Sequence, residues 1–397
     1  MTEAAVSAPR GNKLSRLEWL PLLALPALAA VHFLGAEGST ANRLAFWVAL
    51  GLIPGIAWRL CGRPSWRAHR IFFALGLLAF MATDSRLRPG PEDFARIAAN
   101  WHLVLPGMVF CLSQPLWGAL RLRLLLHDSI GVASFGQCLR LCLAGNFFNI
   151  FLPGATGGDF YRVYAISGGR RRGFGKALAA VAIDRFLGFP PLILIILAAL
   201  SLDADFFSER LSARLGAFIA AAAMIALILT AGLLFGGGSP AGESGAGDAP
   251  GPAWGRLKRI HRLLSKNIAR KRTLPLAFLY GLASHVAVVV ACVLFGDAAG
   301  VSGVPPLRQF LVVPLALAVN SIPGAPGGIG QGELAMATLL ELAAPGLGNG
   351  QSGVLAMLLF RLGNIVAGMI GGAVFAAAGG GSPFGEARRL RRFEAET

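Results

Sequence analysis

Asn149-Ile-Phe-Leu-Pro153-Gly154-Ala-Thr-Gly157-Gly158-Asp159 interrupts one long apolar run of this chain, and Asn320-Ser-Ile-Pro323-Gly324-Ala-Pro-Gly327-Gly328 interrupts another. Both contain Pro-Gly-Ala-x-Gly-Gly, preceded by an Asn and followed by an acid, Asp159 or Glu333. An Arg stands in the next apolar run each time, as Arg185 in Asp-Arg-Phe-Leu-Gly and Arg361 in Phe-Arg-Leu-Gly. Backbone polar groups in lipid must be satisfied internally, so a broken segment is tolerated at membrane depth only where it is buried or lines a cavity. A matched Gly/Pro interruption in two hydrophobic halves points to a binding site near the midplane of a transporter-like membrane protein.

The composition agrees with that setting. Of 397 residues, 55% are hydrophobic and only 14% charged, and the mean hydropathy is +0.63. Apolar runs of about 20 residues suffice to span hydrocarbon. The expected fold is therefore an all-α polytopic integral membrane protein. It should have about eight spanning helices, near 18–36, 44–61, 69–83, 98–120, 177–201, 215–236, 274–296 and 353–378, plus two broken hairpins at 134–163 and 307–344. The isoelectric point near 11.0 does not indicate nucleic acid, because the basic residues lie in short clusters between apolar runs, as positive-inside bias requires. The five cysteines show no metal-ligand spacing and read as small core residues. No cofactor or metal is expected.

Charge sets the orientation. A cytoplasmic N-terminus places 26 of the 36 Lys and Arg inside, seven outside and three within membrane segments. Were 134–153 a full span, every later loop would flip and the basic clusters at 256–272 and 388–392 would lie outside, so the first hairpin should enter and leave on the cytoplasmic side. In the second, Phe310–Asn320 and Gly332–Leu342 are each about 11 residues, or about 17 Å of helix, too short to cross about 30 Å of hydrocarbon. A hairpin entering from outside is expected. The stretches 98–201 and 274–378 then each read span, hairpin, span in opposite orientations, an inverted repeat. The domain plan is 1–65 as an N-terminal addition, 66–235 as the first part of the membrane domain, 236–272 as a Gly/Ser-rich linker with a basic amphipathic segment, 273–380 as the second half, and 381–397 as a basic tail. The segment 256–272 suits either a helix lying on the anionic inner leaflet or a simple positive-inside anchor. Ala27-Leu28-Ala29 also fits a signal-peptidase site, but the polytopic context favours a retained first helix.

Ionisable residues are costly within membrane segments and so are candidates for function. The set is Asp159 and Arg162 at the first break, Asp184 and Arg185 in the following helix, Glu333 at the second break and Arg361 in the last helix. Glycine-rich breaks expose backbone N–H groups, and Arg holds phosphate in bidentate fashion. Asn149, Gly157, Gly158, Asp159, Arg162, Arg185, Asn320, Gly327, Gly328, Glu333 and Arg361 are therefore the expected binding residues for an anionic or phosphate-bearing head group. Asp159 and Glu333 are expected to orient the arginines, bind a sugar or amine, or carry a proton. A purely structural pairing of Asp159 with Arg162 is the competing reading. Asp184 and Arg185, being adjacent on a helix, should reach different partners.

Other signals do not carry chemistry. Arg170-Arg-Arg-Gly-Phe-Gly-Lys176 lacks the earlier glycine and the following Ser/Thr of a phosphate-binding loop. Gly328-Ile-Gly330-Gln-Gly332 has no strand before it. No catalytic triad or dyad stands out, and an enzyme is not expected.

Residues from about 69 to 380 resemble the flippase-like family known as the lysylphosphatidylglycerol synthase transmembrane region. The resemblance rests on Gly145-Asn146-Phe147-Phe148-Asn149 through Asp159 with Arg162, on Asp184-Arg185-Phe-Leu-Gly188, and on Ile322-Pro323-Gly324 through Gly330 with Glu333. The family typically has Glu-Arg where this chain has Asp184-Arg185, a change that keeps the charge. In bifunctional members the region resembles a lipid translocator joined to a soluble aminoacylating domain. No segment here is large enough to be that domain, so a synthase activity is not implied. The resemblance implies a bacterial inner-membrane protein with cytoplasmic termini that binds a phospholipid, glycolipid or polyprenyl-linked lipid and moves its head group across the bilayer. Two alternatives stay open: an accessory protein docking a lipid-modifying enzyme through 236–272, and a membrane-embedded lipid transferase.

Overall fold

The structure is a computed structural model, and the residues it describes are 66–130, 134–151, 157–168, 171–202, 273–321 and 325–378. The expected helices at 18–36, 44–61 and 215–236, the linker and basic segment 236–272 and the tail 381–397 lie outside them. The chain divides into two compact units, Met1–Asp84 and Ser85–Thr397. In the first, helix α1 (Trp66–Thr83) is apolar from Phe73 to Thr83, where the Thr83 hydroxyl donates to the Ala79 carbonyl at 2.9 Å.

The second unit contains ten described helices: α2 (Pro91–Ala99), α3 (Trp101–Leu112), α4 (Gln114–Ile130), α5 (Phe135–Phe151), α6 (Gly157–Ser167), α7 (Arg171–Leu202), α8 (Thr273–Ala299), α9 (Pro306–Ser321), α10 (Gln331–Ala343) and α11 (Asn349–Ala377). A 3-10 turn, Pro326–Gly328, precedes α10. No strand occurs among the described residues, and the protein is an all-α polytopic membrane protein. Among the described residues four helices are long and apolar enough to cross a bilayer: Trp101–Leu126, Ala177–Leu202, Thr273–Ala299 and Asn349–Ala377. They match the expected spans at 98–120, 177–201, 274–296 and 353–378.

The first of these runs through α3 and α4 with a single turn residue between them, Ser113. Pro115 has no N–H for the Cys111 carbonyl one turn back. The Gln114 side-chain amide takes its place, 3.2 Å from that oxygen. With the lost bond replaced, the helix continues past Leu120 to Ile130 and carries Arg121 along with it.

Both interrupted segments form paired arms. The arms α5 and α6 contain 17 and 11 residues, and α9 and α10 contain 16 and 13. At 1.5 Å per residue all four are shorter than about 30 Å of hydrocarbon. A reciprocal Ser134–Gln137 capping box starts α5: the Gln137 side chain accepts from Ser134 N–H at 3.0 Å, and Ser134 Oγ accepts from Gln137 N–H at 3.2 Å.

The packing scheme repeats itself. In the first half α4 packs on α5 and α7, α5 on α6, and α6 on α7; in the second, α8 packs on α9 and α11, α9 on α10, and α10 on α11. Exchanging α4–α7 for α8–α11 maps one set onto the other. The leading arms obey the same exchange across the halves, since α5 lies along α11 and α9 along α7, whereas the packing of α7 on α8 has no such counterpart between α4 and α11. The leading arm of each hairpin thus packs on the last helix of the opposite half, and the chain is an internal repeat with crossed arms. Small residues permit the closest crossing: Gly371 of α11 faces the Leu143 carbonyl of α5, where a Cβ would overlap the oxygen. Phe148, Tyr161 and Phe375 join α5, α6 and α11 through ring centroids 4.7–5.5 Å apart.

Each half centres on an apolar core, the second of which also takes in Cys111 of α3 and Ile196 and Ala199 of α7. Leu122, Leu141, Cys142, Ile166 and Val181 pack together in the first, and Phe295, Leu311, Met336, Leu340 and Met357 in the second. Cys111, Cys138, Cys142 and Cys292 are buried free thiols within the packing. The arm α6 reverses the sidedness of a helix in water, because it buries Arg162 while Phe160 and Tyr164 are exposed. Charge inward and aromatics outward suit a helix surrounded by hydrocarbon.

Candidate functional site

The first cluster forms where α6 begins. The N–H groups opening a helix lack intrahelical partners, and that of Gly158 donates to Asn149 Oδ1 at 2.8 Å, so the end of α5 caps the start of α6. A side chain at Gly158 would overlap the Gly145 carbonyl, so glycine is what lets the arms approach. Asp159, next in the first turn, receives a two-pronged contact from Arg185 of α7: Nε lies 3.1 and 3.0 Å from the two carboxylate oxygens, and Nη2 2.6 Å from Oδ1. This is the fork geometry that gives guanidinium–carboxylate pairs their strength and direction.

Beneath that pair lies a second charged layer. Asp184, adjacent to Arg185, turns the other way and accepts from Arg121 Nε at 2.6 Å, as their positions on one helix require. Arg162 stands between the layers, with Nη1 3.7 Å from Asp159 and 4.0 Å from Asp184. Its side chain is 8% exposed, and its buried Nε has no hydrogen-bond partner. Three arginines thus face two carboxylates. Arg121 was not among the sequence candidates because it reads as a basic residue following a span. The signal that identifies it is Asp184 itself, since a carboxylate in an apolar helix needs a counter-ion.

The second cluster uses the same frame differently. Asn320 near the end of α9 lies against Gly328 and Gly332. Glu333, the third residue of α10, accepts from Gly330 N–H at 2.9 Å and from Arg361 Nε of α11 at 2.7 Å. The other Arg361 nitrogens are also engaged, Nη1 with the Gly327 carbonyl at 2.8 Å and Nη2 with that of Gly328 at 3.2 Å. Gly327, Gly328 and Gly330 have φ of 59°, 70° and 84°, the left-handed region that costs other residues about 1–2 kcal/mol.

The structure refines the repeat. By sequence Gly157-Gly158 aligns with Gly327-Gly328. In space the counterpart of Gly158 is Gly332, since each lies against its hairpin's Asn and directly precedes the acid at the third position of the trailing arm. The left-handed turn at 327–330 is an extra loop in the second half. The matched frames are Asn149, Gly158, Asp159 and Arg185, and Asn320, Gly332, Glu333 and Arg361. Continuing the register, Arg162 corresponds to Met336 and Asp184 to Phe360, both buried. Among the described residues the deeper ionic layer occurs in the first half and not in the second. Gly157 opens α6 next to the first cluster.

Two broken hairpins in a crossed repeat, each bearing an acid–arginine pair, belong to a polytopic membrane protein. The chain matches the family described as Lysylphosphatidylglycerol synthase TM region over residues 67–372 and belongs to that family, which makes it a membrane protein related to lipid handling. No curated protein and no solved structure shows significant similarity to it.

Proposed function

We propose that the protein is a bacterial inner-membrane lipid translocator, a carrier and not an enzyme, that binds an amphipathic lipid between its halves and moves the head group across the bilayer. The observation that carries this reading is the pair of matched Asn–Gly–acid–Arg frames, one at each broken hairpin. A carrier needs a comparable polar foothold in each half, and a fold stabilised by apolar packing alone has no use for two. The excess of arginine over carboxylate in the first cluster favours a phosphate-bearing head group, drawn from phospholipids, glycolipids or polyprenyl-linked lipids. Positive-inside bias supports cytoplasmic termini and a first cluster on the cytoplasmic side.

Mass spectrometry of lipids co-purifying with the wild type and with an Arg185→Ala variant tests it. One lipid class enriched over bulk membrane and lost in the variant is the expected result. Bulk phospholipid in both samples would remove the carrier reading.

A further inference from the structure

Asp159 stands between two arginines of unequal satisfaction. Arg185 holds it with three contacts of 2.6–3.1 Å, while the buried Arg162 lies 3.7 Å away and leaves its Nε unpartnered. Arg185 is 46% exposed, so it is the member of the cluster that an incoming group meets first. A carboxylate on a guanidinium fork occupies the place, and mimics the charge, of a phosphate oxyanion. The second half lacks the means for exchange: the position of Arg162 is taken by Met336, and Arg361 is engaged on all three nitrogens by Glu333, Gly327 and Gly328.

We infer that Asp159 is an internal stand-in for the ligand: a phosphodiester or phosphate anion displaces it from Arg185, and the carboxylate moves to Arg162, which is placed to receive it. The ligand then brings the negative charge that balances the third arginine, and the buried Arg162 gains the partner its Nε lacks in the unliganded arrangement. The Glu333–Arg361 pair does not exchange; it holds the second break closed. The inference rests on the reading of Arg185 as an anion contact, and it assigns anion recognition to the first half alone.

The test is titration calorimetry of the purified full chain in detergent with dihexanoyl phosphatidylglycerol and, separately, inorganic phosphate. Asp159→Asn removes the competitor and should tighten binding about tenfold or more, whereas an acid that merely orients Arg185 would on removal weaken it. Arg162→Met, which copies the second half, should weaken binding about tenfold with its melting transition retained. Arg185→Gln should abolish binding. A gain in Asp159→Asn for both probes locates recognition in the phosphate group; a gain for the lipid alone locates it in the larger head group. Either supports the exchange. Binding in Asp159→Asn no tighter than wild type, with binding lost in Arg185→Gln, overturns the exchange and leaves the Arg185 contact standing. Wild-type affinity in Arg185→Gln overturns both. Should Asp159→Asn fail to fold, wild-type affinity in Arg162→Met overturns the exchange by itself.

Discussion

Arg361 donates to Glu333 across the α10–α11 interface at 2.7 Å, and the acid is 1% exposed. The same guanidinium ties down the carbonyls of Gly327 and Gly328, so one side chain neutralises a buried charge and braces a left-handed turn.

Arg361→Met should therefore destabilise the fold by about 3–5 kcal/mol, the range for stranding one member of a buried pair. Adding Glu333→Gln should recover a good part of the loss. Denaturant unfolding in detergent measures both, and an unshifted midpoint in Arg361→Met would show that the pair is not structural.

Backbone geometry separates two glycines of the broken hairpins. Gly328→Ala places a Cβ against Asn320 at φ 70° and should cost at least about 1–2 kcal/mol. Gly136, inside α5, has open space around its Cβ position, so Gly136→Ala should be neutral or stabilise by up to about 1 kcal/mol. Equal melting shifts in the two variants would contradict the assignment of the turn.

The Arg121–Asp184 pair has side chains 12% and 4% exposed. Arg121→Met alone should cost about 3–5 kcal/mol, and Arg121→Met/Asp184→Asn distinctly less than the sum of the single changes. Strict additivity in that cycle would mean the two residues do not act as a pair.

Charge alone should not preserve transport at Arg185. Lysine keeps the cation but loses the fork, so Arg185→Lys is expected to lower lipid movement in proteoliposomes about tenfold. Wild-type rates would indicate that only a positive potential is needed there.

Much of the architecture was legible because lipid imposes simple rules. Apolar length marked the spans, and the repeated hexapeptide marked the breaks. Three features resisted reading, each for a local reason. Gly327, Gly328 and Gly330 build a left-handed turn that Gly157 and Gly158 do not, so identical letters at the two breaks are not equivalent positions. Arg121 looked like a loop cation because a replacement by Gln114 of one proline-broken hydrogen bond, which keeps the helix going, leaves no trace in hydropathy. The engagement of Arg361 by backbone carbonyls depends on where the turn points them, and side-chain types do not encode that.

The pairing of α5 with α11 has a consequence for biosynthesis. The Leu143 carbonyl flank that Gly371 covers leaves the ribosome about 230 residues before its partner, a wait on the order of 10–50 s at 5–20 residues per second. Throughout that interval the leading arm of the first hairpin is in the membrane without its final neighbour. The nascent first half can therefore insert, but its hairpin cannot lock until α11 has been translated, and a chain stopped short of α11 leaves the first binding frame unbraced, however intact its own sequence.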